Sequence, residues 1–451
     1  MASRLEYRSL ADEEDRERAS DEDSALLGGE FEDGPQVPFS WIEYGIFCFL
    51  GMAMLWAWNM FLAAAPYFAS RFAGDAWIEA NFQSTILAVS TLTTLAVVLI
   101  LSNIQSSASY PFRINLALVI NSVIFGLLTI STAVFLDASP RQYLSFVLVM
   151  VALTAWAAGL MQNGAFAFAA GFGRPEYMQA LMVGQGVAGV LPSIAQVVSV
   201  LVFPPSKEKA NTSGERQGES SAFFYFLAAV VISIITLGAI IPLVRRHNRM
   251  VADRLSERLA SSMTSIEEAE RATRKVVSLL HLLKKLHWLA FGVALIFTIT
   301  MFFPVFTVKI LSVNEDGGRL IFQPFAFIPV GFLFWNLGDL AGRIATMLPY
   351  SLTKRPFLLF VLAVARAGFL PLYLLCNIHG RGAIIPSDFF YLVIVQVLFG
   401  MTNGWLCSNM MMASGEWVEE NEREATGGFM GLCLVAGLAS GSLLSFTASG
   451  I

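Results

Sequence analysis

Three polar side chains, Asn336, Asp339 and Arg343, interrupt an apolar run from about Phe325 to Leu348. Such a run is long enough to cross a bilayer, which takes roughly 20 residues at 1.5 Å each. An ionisable side chain at that depth costs roughly 2.5–3.5 kcal/mol on insertion scales, so two in one helix need a reason. Their spacing supplies one. Positions i, i+3 and i+7 share a helical face, and Asp339 and Arg343, four apart, pair across one turn. A paired carboxylate and guanidinium offer charge-assisted hydrogen bonds to a polar solute without desolvating a lone ion. The stripe is expected to face an internal aqueous path that the other spans build.

Further polar groups sit inside apolar runs. Trp58-Asn59 lies in Trp56–Phe61, where an aromatic face beside an amide suits a planar, hydrogen-bonding ligand. Taken alone, an interhelical hydrogen bond from Asn59, worth about 0.6 kcal/mol, is the simpler account. Gln162-Asn163-Gly164 and Gly184-Gln185-Gly186, the latter followed by Pro192, Ser193 and Gln196, mark two more runs. Gln162 carries both a donor and an acceptor, the minimum for reading a nucleobase edge or sugar hydroxyls. Most of the glycines read as a close-packing seam. Arg366 sits mid-run, too far from either end to snorkel, and is expected to face protein; Gln396 and Asn403-Gly404 lie in the following run.

No catalytic constellation accompanies them. The four histidines are His247, His281, His287 and His379, and neither a metalloprotease motif, a phosphate-binding loop nor a nucleophile elbow is present. A non-enzymatic protein without a cofactor is expected, moving solute downhill or by ion coupling. Cys48, Cys376, Cys407 and Cys433 fall in or beside apolar runs without metal-ligand spacing and read as small buried residues.

The elements that must position these groups follow from composition. Of 451 residues 56% are hydrophobic and only 14% charged, against about 25% charged in soluble domains. Apolar runs fall at roughly 42–66, 82–102, 114–136, 143–170, 177–203, 222–244, 288–311, 325–348, 357–377, 387–412 and 426–447. An all-α polytopic membrane protein with about eleven transmembrane helices is expected. Residues 1–40 read as a disordered acidic cytosolic tail, 41–245 as an N-terminal bundle of six spans, 246–287 as a cytosolic loop and 288–451 as a C-terminal bundle of five. Val276 to Leu286 reads as an amphipathic helix leading into the seventh span.

Lysine and arginine set the orientation. With a cytosolic N-terminus, the cytosolic loops hold Arg113, Arg174, ten basic residues between Arg245 and Lys285, Lys354, Arg355 and Arg423. The opposite side holds eight, and Ile451 ends in the lumen. Asn211-Thr212-Ser213 is a glycosylation sequon on that opposite side. In the tail, Glu22 followed by Leu26-Leu27 resembles the acidic dileucine signal that clathrin adaptors read on vacuolar or lysosomal proteins. No cleaved signal peptide and no nucleic-acid partner are expected.

Taken in order, these motifs resemble the equilibrative nucleoside transporters across nearly the whole membrane region. The resemblance rests on Trp58-Asn59, Gln162-Asn163-Gly164, Gly184-Gln185-Gly186 with Pro192-Ser193 and Gln196, and Asn336-x-x-Asp339-x-x-Gly342-Arg343. Arg366 with Pro371, Cys376-Asn377, Asn403-Gly404 and Glu424 to Gly428 complete it. The tail makes the chain look most like the intracellular vacuolar and lysosomal members. The resemblance implies a fold similar to the major facilitator bundles, in a 6+5 arrangement, with two halves rocking around a midplane site. It places the base pocket at Trp58, with Leu62 beside it, base reading at Gln162, and ribose binding at Asp339 and Arg343. Asn59 and Asn336 are counted with the substrate site, and Asn163, Gln185, Arg366 and Asn403 as its support. Ala57 stands where many members have proline, which departs from their pattern at the base pocket. The rival readings are a carrier of another polar solute such as a sugar or nucleobase, a proton-coupled symporter, and a receptor or scaffold in which the ion pair is a clamp.

Overall fold

In lipid every backbone polar group must be satisfied within the chain, and apolar runs of this length meet that demand as helices. The computed structural model describes residues 38–104, 109–135, 138–202, 213–261, 277–315, 319–348 and 352–445. Among them, eleven helical spans are long and apolar enough to cross a membrane. We number them α1 (Trp41–Ala63), α2 (Asn81–Asn103), α3 (Tyr110–Val134), α4 (Pro140–Gly171), α5 (Pro175–Val202), α6 (Ala222–Met250), α7 (Leu279–Thr307), α8 (Pro324–Ala345), α9 (Pro356–Tyr373), α10 (Phe390–Glu416) and α11 (Glu420–Ser445). Extended pairing among the described residues amounts to one isolated bridge, Ile310 to Ile378. The chain divides after Pro38, and the second unit, Phe39–Ile451, holds all eleven spans. The tail signal at Glu22, Leu26 and Leu27 and the sequon at Asn211 lie outside the described residues.

Local sequence sets the helix ends. Ser139 caps α4 in a capping box with Gln142, and Pro140 occupies the first turn, where its missing N–H leaves no bond unmade. Asp75 accepts from the backbone of Trp77 and Ile78 at the start of the helix that carries α2. The helix Ser213–Ala239 is followed without a loop by Ile241–Ser261, in which α6 ends, so the hydrophilic segment opens as helix. At its far side the amphipathic stretch joins α7 from Leu279 through a kink at Leu286, burying Leu282 and Leu286.

Three spans are irregular. The helix of α7 ends at Thr300 and restarts at Phe302, just before Pro304. The α9 helix tightens into a 3-10 turn over Arg366–Gly368, and α10 begins as a π-helix over Phe390–Val397, a form that recurs at functional sites.

Helix packing is pairwise. The α1 helix lies along α5, α2 and α3 along α4, and α3 along α6; α8 lies along α10, and α7 along both α9 and α11. The earlier and later spans meet where α5 packs on α8 and α10, and where α4 and α2 pack on α11.

Candidate functional site

Four of the first spans enclose a cavity of about 190 Å³, completed by Met301 of α7 and by Val435 and Leu438 of α11. Met54, Trp58 and Phe61 face it from α1, Thr91 from α2, Asn121 from α3, and Thr154 and Gln162 from α4. No lining residue is charged. A cavity of about 150 Å³ already admits benzene, so this one takes a ring system. Its walls are chiefly apolar, and Trp58 supplies an aromatic surface for a planar group.

Gln162 stands at the floor. A Cβ added to Gly431 of α11 would lie 3.8 Å from its Cγ, and the spans close up from there. Below it the α11 backbone passes so near α4 that a Cβ at Gly427 would come within 2.3 Å of the Phe166 carbonyl oxygen. Along α2, α4 and α11 the cavity residues therefore occupy one stretch and the close contacts the next. The contact stretch lies toward the end where α4 turns into α5 and α10 into α11. Arg113 ties that end together. Its guanidinium donates to the carbonyls of Ile104 (2.7 Å) and Leu101 (3.3 Å) and to the Asn163 side-chain oxygen. Asn163 donates to Ser102 Oγ at 3.3 Å, and Ser102 reaches the Gly428 carbonyl of α11 at 3.5 Å.

The ionisable stripe of α8 lies in a different place. Arg343 Nε donates to Asp339 Oδ2 at 2.7 Å, the i,i+4 pair expected from spacing, and each residue is only 4% exposed. Arg343 Nη1 also donates to the Met182 carbonyl (2.7 Å) and to Gln185 Oε1 (3.3 Å), both on α5. The second carboxylate oxygen of Asp339 accepts from Asn403 Nδ2 at 2.7 Å. Asn403 Oδ1 accepts from Thr300 Oγ1 (2.7 Å), which in turn accepts from Arg366 Nη2 (3.3 Å). Arg366 donates further to the Ile296 carbonyl (3.0 Å) and Thr402 Oγ1 (3.2 Å), and its guanidinium lies 4.7 Å from the centre of the Phe399 ring. Close backbone approach permits this: a Cβ at Gly404 would fall 1.9 Å from the Asp339 carbonyl oxygen. One polar chain thus runs from α5 through α8, α10 and α7 to α9, with each charge held by several partners.

The match to known proteins agrees with this arrangement. A protein-family model described as "Nucleoside transporter" matches residues 148–449, about two thirds of the chain. The chain belongs to the nucleoside transporter family. Relatives include "Nucleoside transporter FUN26" of Saccharomyces cerevisiae, 28% identical over 90% of this chain and 83% of that protein. "Equilibrative nucleoside transporter 1" of Homo sapiens is 27% identical over 89% of this chain and 95% of its own length. "Equilibrative nucleotide transporter 1" of Arabidopsis thaliana is 26% identical over 89% and 85%. Among solved structures, the E. coli fucose:proton symporter FucP aligns over 91% of this chain and 92% of its own, with TM-score 0.55 at 12% identity. A second FucP structure, described as a Major Facilitator Superfamily transporter, aligns over 90% and 92% with TM-score 0.53 at 10% identity. The expected helical, major-facilitator-like fold is the observed one.

The residues singled out in this nucleoside transporter fall into three groups. Trp58 and Gln162 meet in the cavity. Asn336, Asp339, Arg343, Gln185, Arg366 and Asn403 face neighbouring helices and are not among the residues lining it. Asn336 donates to Ser193 Oγ of α5 and to the Phe332 carbonyl, both at 2.9 Å. Asn163 belongs to the Arg113 cluster. In this conformation the stripe therefore faces protein on α5 and α10 and not open space, because each oxygen of Asp339 already has a donor. Two further placements differ from expectation. Asn59 donates to the Ala188 carbonyl at 2.6 Å, the interhelical bond and not a cavity contact. Leu62, one helical turn beyond Trp58, is 56% exposed and is not among the lining residues. Sequence reading passed over Asn121 and Thr154. Both had a signal: an amide in the middle of α3, and a hydroxyl eight residues before Gln162 on the same face of α4.

Proposed function

We propose that this chain carries nucleosides across its membrane by facilitative alternating access, with the base held in the α1–α4 cavity. The observation that carries the reading is the pairing of Trp58 and Gln162 in one uncharged, largely apolar cavity, in a chain of the nucleoside transporter family. The base lies against Trp58 while the Gln162 amide supplies direction. In this reading the spans α1–α6 and α7–α11 act as two bundles, and the α5–α8, α4–α11 and α2–α11 contacts are the closed gate. With a cytosolic N-terminus that gate is the cytosolic one, and the cavity is reached from the lumenal side.

Ribose recognition by Asp339 and Arg343 then belongs to a later step. The pair stands one side chain behind the cavity wall, since Gln185 Nε2 donates to Sδ of the lining residue Met54 at 3.8 Å while its Oε1 accepts from Arg343. Hydroxyls reach the pair when α5 and α8 part, exchanging protein partners for sugar oxygens. Transport is read as uncoupled to protons. The tail signal points to a vacuolar or lysosomal-type membrane and a clathrin adaptor as partner; a Leu26→Ala/Leu27→Ala variant that keeps its location by imaging would remove that support. The relatives carry transporter names, in keeping with a protein that is not an enzyme.

The test is uptake of radiolabelled adenosine and uridine into proteoliposomes of the purified protein. Saturable flux that equilibrates without accumulation, competed by nucleosides and not by hexoses, is expected. Absent flux would favour a scaffold, hexose competition another solute, and accumulation driven by an imposed pH gradient a symporter.

A further inference from the structure

Most polar side chains in the spans are spoken for by protein. Thr129, Ser131 and Thr132 of α3 turn back to backbone carbonyls within one turn, and Thr94 of α2 reaches the Ala155 carbonyl at 3.3 Å. Two groups in the cavity are different. Asn121 Oδ1 and Thr154 Oγ1 have no hydrogen-bond partner among the described residues, although Asn121 is only 4% and Thr154 only 5% exposed. Both residues line the cavity that holds Trp58 and Gln162. A buried polar atom without a partner costs about 1–3 kcal/mol, so its retention at a cavity wall calls for a partner that arrives from outside.

Geometry narrows that partner. Thr154, Ala158 and Gln162 are four residues apart in turn and all line the cavity, so they form one stripe of α4. At 1.5 Å per residue the two polar ends of the stripe lie roughly 12 Å apart along the helix. Gln162 stands at the floor, and Thr154 two turns above it; Asn121 joins from α3. The unpaired atom of Asn121 is an acceptor, and the Thr154 hydroxyl both accepts and donates. No charged group lines the cavity, so a phosphate or ammonium finds no counter-charge there. What fits is a neutral ring with N–H donors on its edge, held against Trp58.

We propose that Asn121 and Thr154 are specificity-determining residues that accept hydrogen bonds from the amino or ring N–H groups of the nucleobase. The inference rests on the assignment of the α1–α4 cavity as the base site. It makes this side of the cavity a sensor of base donors: adenosine, with an exocyclic amine, and inosine, with a ring N–H, satisfy it, whereas purine riboside, with neither, leaves both oxygens bare. A site built to receive a hydrogen bond discriminates against the analogue that lacks the donor, because its own polar groups stay unpaired.

The experiment measures KM for adenosine, inosine and purine riboside in proteoliposomes of wild type, Asn121→Leu and Thr154→Val, two near-isosteric changes. In wild type, purine riboside is expected to bind about tenfold more weakly than the other two, the worth of about one hydrogen bond. Each variant is expected to raise KM for adenosine and inosine about tenfold while leaving purine riboside within about twofold. Because neither side chain bonds to protein, thermal unfolding of both variants in detergent is expected to match wild type or rise. An equal rise for all three nucleosides, or none, would overturn the proposal. So would a lowered unfolding midpoint with an unchanged substrate pattern, the mark of a structural role. Equal wild-type KM values for the three nucleosides would overturn it without any variant. Failure of wild type to take up any nucleoside would instead overturn the base-site reading on which it stands.

Discussion

Two polar regions lie a few side chains apart in this protein and are built on opposite terms. In the chain from Arg343 through Asp339, Asn403 and Thr300 to Arg366, every ionisable group is bound several times over by protein. In the cavity, Gln162, Asn121 and Thr154 are grouped around Trp58 without a charge among them, and two of their polar atoms are unpaired. The first region has its hydrogen-bonding capacity used within the protein; the second keeps some of it unused. The difference teaches that residue type alone does not distinguish a clamp from a binding wall within a membrane. What distinguishes them is whether neighbouring protein groups have already used the hydrogen-bonding capacity.

Breaking the saturated region has the largest expected effect. Asp339→Ala leaves Arg343 buried without its carboxylate, a loss of roughly 3–5 kcal/mol. A large fall in the detergent unfolding midpoint and loss of nucleoside uptake are expected. The double change Asp339→Leu/Arg343→Met removes both charges, and apolar replacement of a buried pair is often neutral for stability. Recovery of the unfolding midpoint without recovery of uptake is expected. Recovery of both would reduce the pair to a clamp and remove it from ribose recognition.

A solvent-facing ion pair marks the other extreme. Arg141 Nε lies 3.2 Å from Asp75 Oδ2, with the arginine side chain 85% exposed. The Arg141 hydrogen bond, aided by the backbone N–H of Ile78, holds the Asp75 carboxyl below the usual carboxylate range. A lowered folded-state pKa contributes stability that is present above the unfolded value, about 3.9, and is lost as pH falls through the folded one. Asp75→Asn is therefore expected to shift the unfolding midpoint only slightly at pH 7, with that shift vanishing near pH 3 or below. A loss comparable to that of Asp339→Ala would erase the contrast between exposed and buried pairs.

Much of the saturated region was legible in the sequence, since it rests on local periodicity. The i,i+4 spacing of Asp339 and Arg343 gave their pairing, and the apolar lengths gave the spans. Arg366, remote from both ends of its run, was expected to face protein and does. Partners contributed by other helices were not legible: the Met182 carbonyl that receives Arg343 is a backbone atom on α5, and no side-chain pattern announces it. The same blindness placed Asn59 in the pocket, because the residue next to Trp58 lies about 100° round the helix and meets α5, while Leu62, on the same face as Trp58, lies beyond the residues that line the cavity. The π-helical start of α10 left no mark either, its sequence Phe390–Val397 being ordinary apolar span. The emptier wall was the least legible, since an unpaired hydroxyl at Thr154 differs from a paired one at Thr94 only in what lies next to it.

The central claim, that the base sits in the cavity over Gln162 and not at the ion pair, is tested most directly by adenosine binding to purified Gln162→Leu protein. Isothermal titration beside a thermal melt is the measurement. The expected result is an unfolding midpoint like that of wild type with affinity reduced about tenfold or more, the loss of one or two directed hydrogen bonds. Wild-type affinity in a folded Gln162→Leu protein would contradict the account and move the base out of the α1–α4 cavity.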